Sequence, residues 1–319
     1  MSEALQTQAT RDAYGDALVK LGQISKKVVV LDADLSKSTK TIQFAGKFPE
    51  RFFNIGIAEG DMMATAAGFA ASGFIPFAST FAVFATGRAY DQIRNTIAYP
   101  ALPVRIAATH SGLTVGEDGA SHQALEDIAL MRVLPNMQVV VPADGRETTR
   151  VLEASLTLKG PLYIRLGRPR VPLVTRPETP FELGRGEILR EGEDAAILAC
   201  GIMVSQALEA AGLLEKRGIQ TRVVNMASIK PLDQELVITC ARETGALVTA
   251  EEHSVLGGLG GAVAECLGSH YPAPLIRVGV RDTFGESGPA GELLKKYGLT
   301  PRDLADAVGQ ALALKKKLG

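Results

Sequence analysis

The sequence predicts an α/β protein of two domains, each a largely parallel sheet flanked by helices. Three observations carry that expectation. Short β-rich runs alternate with longer segments of helical period, the pattern of parallel sheets covered on both faces. The 319 residues, 46% of them apolar, suffice for about two packed cores. A single proline-rich break interrupts the alternation between the halves.

In chain order, the first half shows strand runs at residues 28–33 (VVVLDA), 52–56 (FFNIG), 75–79 (IPFAS), 104–109 (VRIAAT), 137–142 (MQVVVP) and 161–166 (PLYIRL). Helices fall between them. Glu59 opens an apolar helical stretch through Ala71, and Asp144 followed by Glu147 makes a capping-box-like start for a helix to about Leu158. Between Arg168 and Pro180 the chain reads RPRVPLVTRPETP, where four prolines keep the backbone extended and remove hydrogen-bond donors. The predicted division is a first domain over 1–170, a linker over 171–184 and a second domain over 185–319. Beyond the linker, strand runs at 195–200, 221–226, 245–252 and 275–280 alternate with helices near 203–216, from Asp233 and after Gly260. Thr300, Pro301 and Asp303 start a final helix, whose closing lysines, Lys315 to Lys317, complement its negative end.

Composition excludes several classes. Lys and Arg number 34 against 35 Asp and Glu, so no charge excess attracts nucleic acid or a membrane surface. Any ligand is held by local charge. Cys200, Cys240 and Cys266 are odd in number and far apart, which marks them as small buried hydrophobes. The first residues lack the basic-then-apolar order of a secretory signal, and no apolar run approaches the roughly 20 residues of a membrane span. A cytoplasmic protein is expected.

Chemistry concentrates in residues 109–123, THSGLTVGEDGASHQ, directly after the buried strand run VRIAAT. His110, Glu117, Asp118 and His122 are set there among Gly112, Gly116 and Gly119, and charged side chains on glycine-bent backbone at a strand's end build a polar pocket. No HxxxH or CxxC accompanies them, which argues against zinc. Glu59 lies where a strand ends and a helix begins, either as a first-turn acid on the helix dipole or as a carboxylate projecting into a crevice. Phe81 and Phe84, three apart, are either a core stripe or a pair of rings presented to one side.

Together IAEGD, STFAVFATGRAYDQ and GEDGASHQ resemble the pyrimidine-binding half of transketolase, and the resemblance extends from ATRDAYGDAL to TAEEHSVLGGLGGAV. It implies that Glu59 hydrogen-bonds a ring nitrogen of the aminopyrimidine of thiamine diphosphate, favouring the imino form that activates the thiazolium carbon. Phe81 and Phe84 would stack on that ring. A family tyrosine three residues later is Gly87 here, so the stacking box is thinner or is completed by a partner. By the same resemblance Asp118 contacts a donor-sugar hydroxyl, while His110 and His122 bond substrate oxygens and shuttle protons near neutral pH. Arg11, Ser38 and Arg165 would form the sugar-phosphate clamp. Asp34 matches an acid near the cofactor and the subunit interface, although a turn-capping aspartate looks the same. The second domain has no obvious catalytic part by resemblance.

The chain departs from the full-length family by an absence. The GDG motif followed by Asn that binds diphosphate and Mg²⁺ is not found, and neither GEDG nor GGLGG replaces it. The resemblance therefore implies the small subunit of a split transketolase, active in an α₂β₂ assembly with a partner that carries the diphosphate and Mg²⁺ site. The reaction so implied would be transfer of a two-carbon ketol unit between sugar phosphates. Three alternatives stay open: a 2-oxo acid dehydrogenase β subunit, the carboxyl half of a deoxyxylulose-phosphate-synthase-like enzyme, and a non-catalytic regulatory homologue.

Overall fold

The run VVVLD forms the strand Val28–Asp32, all five residues buried, at the heart of a seven-stranded sheet in the computed structural model, which describes residues 6–318. The sheet order is Ser228–Lys230, Gln138–Val140, Leu162–Arg165, Arg105–Ala108, Ile75–Ser79, Val28–Asp32, Phe52–Asn54. Six of these strands are parallel to their neighbours, so their carboxyl ends share one edge of the layer. In open parallel sheets ligands bind outside that edge.

A five-stranded sheet forms from the second half, in the order Leu275–Val280, Leu247–Ser254, Ala195–Ala199, Thr221–Asn225, Glu187–Arg190. It is parallel except at Glu187–Arg190. All the strand runs expected from the sequence are present. The pieces that sequence patterning missed are short: Thr7–Ala9 pairs antiparallel with Arg170–Pro172, and Glu187–Arg190 and Ser228–Lys230 are sheet edges. Three or four residues are too few to display a period.

Ser228–Lys230 comes from the second half, yet it pairs antiparallel with Gln138–Val140 of the first sheet. One apolar core likewise spans both halves, packing Val139 and Val141 with Leu198, Val224, Met226 and Ile229. The linker is pinned as well: Asp144 Oδ2 accepts from Val174 N at 2.7 Å and Thr175 N at 2.8 Å. Its Oδ1 accepts from Glu147 N at 2.9 Å, the cap expected for the helix Gly145–Ser155, which ends short of Leu158.

The helix Glu59–Ala71 has its expected bounds. The final helix, Pro301–Leu318, differs in how its lysines act: Lys315 Nζ donates to Thr244 O at 2.7 Å, the carbonyl end of the neighbouring helix Gln234–Thr244. Its charge serves another helix's negative pole. Cys200, Cys240 and Cys266 are buried free thiols, and no helix among the described residues is long and apolar enough to cross a membrane.

A shared core and a shared sheet edge make the first half dependent on the second. Residues 6–174 expressed alone are expected to aggregate or to melt without cooperativity in calorimetry. A monomeric fragment with a sharp transition near that of the full chain would contradict this.

Candidate active site

The site is built at the carboxyl ends of the first sheet. Asp32, fully buried at the end of its strand, accepts from Leu35 N at 2.6 Å, Thr39 Oγ1 at 2.7 Å and Thr41 Oγ1 at 2.8 Å. That folds the turn carrying Asp34, in the left-handed region at φ 63°, and Ser38. Asp34 is exposed and exchanges hydrogen bonds with Asn54. Two further bonds, Thr109 N to Thr80 O at 3.0 Å and Ala82 N to Thr109 O at 2.8 Å, extend the sheet pairing past the strand ends. They hold His110 at φ 56°, a conformation that costs energy for a non-glycine residue and recurs at functional sites.

From these supports the side chains form one chain of contacts. Glu59, its side chain 6% exposed, takes Arg88 Nη1 at 3.0 Å. The Arg88 guanidinium lies 4.1 Å over the Phe84 ring, and Phe84 runs nearly parallel to Phe81 with centroids 5.8 Å apart. The other partner of Phe81 is His110, stacked at 3.8 Å. His122 stands edge-on to Phe84 at 5.3 Å. Arg11 Nη1 meets His110 Nε2 at 3.0 Å and Ser38 O at 3.2 Å. Phe84 and Phe81 are therefore presented together as expected, but Phe81 supports a histidine, and the covered face that opens outward is that of Phe84. Gly87 is exposed, and a Cβ there would meet nothing within 4 Å.

Arginine has no acceptor, so Arg11 donates to Nε2 and the His110 proton sits on Nδ1, bonded to Thr109 Oγ1 at 2.8 Å. Burial first, then the charges of Arg11, Arg168, His122 and Lys40, push this imidazole down to about 3. The expected proton shuttling near neutral pH does not fit His110, which stays a neutral acceptor. Three of these cations face His110, while Lys40 also pairs with Asp12 at 3.4 Å and Arg168 with Glu117 at 3.4 Å. Arg11 Nε is buried there without a partner.

The expected clamp residue Arg165 is corrected by the structure. Its side chain, 4% exposed, bonds Asp127 Oδ2 at 2.7 Å, Ala124 O at 3.1 Å and Glu252 O at 3.0 Å, all internal. Its strand ends inside the sheet layer, whereas the residue three further on clears the edge. Arg168, missed in the sequence, is 36% exposed, with Nη1 on Val115 O at 2.5 Å and 3.9 Å from Asp118 Oδ2. Strand alternation in YIRLGR could have found it, because Gly167 marks where the backbone leaves the sheet.

The second half, expected to play no obvious part, shapes the histidine loop. Glu252 Oε1 accepts from Thr114 N at 2.5 Å, and a Cβ at Gly112, φ +76°, would run into that carboxylate. A Cβ at Gly119, φ +75°, would strike Ser287. Gln123 Nε2 spans Leu113 O at 3.1 Å and Glu286 O at 2.9 Å. The GGLGG segment is explained by Glu251, which accepts from Leu259 N at 2.7 Å and Gly260 N at 2.8 Å at the start of the helix Leu259–His270.

Comparison with known proteins matches residues 6–174 to the transketolase pyrimidine-binding domain and 184–304 to the transketolase C-terminal domain. A putative transketolase C-terminal section of Methanocaldococcus jannaschii is 49% identical over 301 residues, covering 93% of this chain and 94% of that protein. A solved split-gene transketolase, an inactive β4 tetramer, is 62% identical, with TM-score 0.91 over 96% of this chain and 99% of that one. The transketolase of Campylobacter jejuni is 26% identical, with TM-score 0.82, and 94% of this chain covers 46% of that longer one.

Removing one partner of a buried ion pair strands the other, at about 3–5 kcal/mol. Arg165→Ala is accordingly expected to lower the urea unfolding free energy by that order, while Arg168→Ala stays within about 0.5 kcal/mol of wild type. An unchanged midpoint for Arg165→Ala would show that the pair is not structural.

The depressed His110 also has a pH signature. Below the unfolded value near 6.5 the unfolded chain takes up a proton that the folded chain refuses until about 3, so this group lowers stability progressively as pH falls through that window. Urea melts at pH 7, 5.5 and 4.5 should show a shallower loss for His110→Gln than for wild type. Parallel profiles would refute the assignment.

Proposed function

The chain belongs to the transketolase family, and from that premise we propose that it is the small subunit of a split, thiamine-diphosphate-dependent transketolase, moving a two-carbon ketol unit between sugar phosphates in the cytoplasm. The observation that carries this reading is the continuous cluster from Glu59 through Phe84 and His110 to Arg11, set in a positive field at one sheet edge. Glu59 and Phe84 already hold a flat, cationic hydrogen-bond donor in Arg88, so acceptor and aromatic face suit an aminopyrimidine. When bound, the cofactor supplies the electron sink for the transferred unit.

This chain's residues do the rest. Glu59 bonds a ring nitrogen and governs its proton. Phe84 stacks on the ring, with Phe81 behind it bracing His110. His110 Nε2, an acceptor, receives a substrate hydroxyl where Arg11 now points, and Asp118 and the partly exposed His122 meet further hydroxyls. Arg11, Ser38 and Arg168 grip the phosphate, the unpartnered Nε of Arg11 being one free donor. Asp34 lies toward the cofactor and partner.

The diphosphate and Mg²⁺ fall to an N-terminal-half subunit in an α₂β₂ enzyme. The half-length match to a whole transketolase and the inactive tetramer of the split-gene relative support the same division.

Purified alone, the chain is expected to be inactive, and mixed with its N-terminal-half partner it should transfer ketol units. Glu59→Gln in the mixture should lower kcat by roughly 10²–10⁴-fold, the usual contribution of a positioned acid–base group. Turnover by the isolated chain would refute the half-site reading, and full activity of the Glu59→Gln mixture would indicate a regulatory homologue.

A further inference from the structure

We infer that Arg88 is an internal occupant of the aminopyrimidine seat, holding Glu59 and Phe84 in place of the ring until the cofactor displaces it. The inference rests on the reading of that seat given under the proposed function. Its geometry is direct: Nη1 is 3.0 Å from Glu59 Oε1, and the guanidinium carbon lies 4.1 Å over the Phe84 ring. A guanidinium and an aminopyrimidine are both flat, and each can place a proton between itself and a carboxylate below an aromatic face, the guanidinium through its N–H and the heterocycle through its protonated ring nitrogen. They need the same two surfaces, so one excludes the other.

Burial shows why such an occupant helps the chain without cofactor. Glu59 is enclosed, with a side chain 6% exposed, and a carboxylate there needs a partner. Arg88, 54% exposed, reaches in from solvent, so its hold is shallow and reversible. The backbone is arranged for release. Arg88 ends the π-helical turn Phe84–Arg88, an irregularity often found at functional positions. Its neighbour Gly87 has no side chain and open space around it, leaving a way out for the guanidinium.

The cost is competition: apparent affinity falls by the fraction of chains whose seat is open. In the mixed subunits, Arg88→Met should bind thiamine diphosphate roughly three- to tenfold more tightly than wild type, with the gain in the association rate, as expected when one exposed ion pair and one cation–π contact are removed. Titration calorimetry and stopped-flow quenching measure both quantities without turnover, and Arg88→Gln serves as a second variant. Independently, the Arg88 side-chain Nε–H resonance should shift and exchange faster on cofactor addition. Equal or weaker binding by both variants would overturn the inference, and if Glu59→Gln abolished binding in that assay the seat itself would stand. Unchanged binding in Glu59→Gln and the Arg88 variants alike would remove the seat and the inference together.

Discussion

The buried ion pair of Asp127 and Arg165 is the constraint on which the rest of the site depends. Burial pushes the Asp127 carboxyl up, but Arg165, His253 and the bonds from Arg165 and Tyr163 more than reverse this, leaving it below the usual carboxylate range. Tyr163 OH adds a donor at 2.6 Å to the oxygen that Arg165 takes at 2.7 Å. The same guanidinium reaches Ala124 O and Glu252 O. One cation thus fixes the exit of the histidine loop, the end of a first-sheet strand and a strand of the second half. Desolvated charges tolerate little displacement, since moving one leaves the other unpaired.

From that anchor the tolerance passes outward through backbone. Glu252, placed by the strand Leu247–Ser254 of the second sheet, holds Thr114 N, and the short helix Ala290–Lys296 packs on Leu113–Asp118. Rigid support beneath a loop that carries reacting groups is what positional catalysis requires. The second half therefore acts on the site by shaping it, with no side chain of its own in the contact chain from Glu59 to Ser38.

On the outer side the site is finished by charge. Arg11, Arg168 and Lys40 converge on a neutral His110, a local concentration of cations in a chain of almost no net charge. Glu59 at the opposite end meets the half-exposed cation Arg88. The site reads as a graded surface: an acid under an aromatic face, then neutral acceptors, then cations.

The sequence by itself determined the alternation of strands and helices and the residue types of the site, because each is written in local period or a contiguous motif. The transketolase likeness rested on such motifs, and Glu59, Phe84, His110 and Arg11 do converge. Only tertiary structure decided which arginine faces the site, since Arg165 and Arg168 differ by where a strand leaves its sheet. It also decided that His110 stays neutral, through burial first and then cations brought from distant segments, and that a strand of three residues from the second half closes the first sheet. Burial and long-range charge are sums over neighbours, and a linear pattern does not contain them.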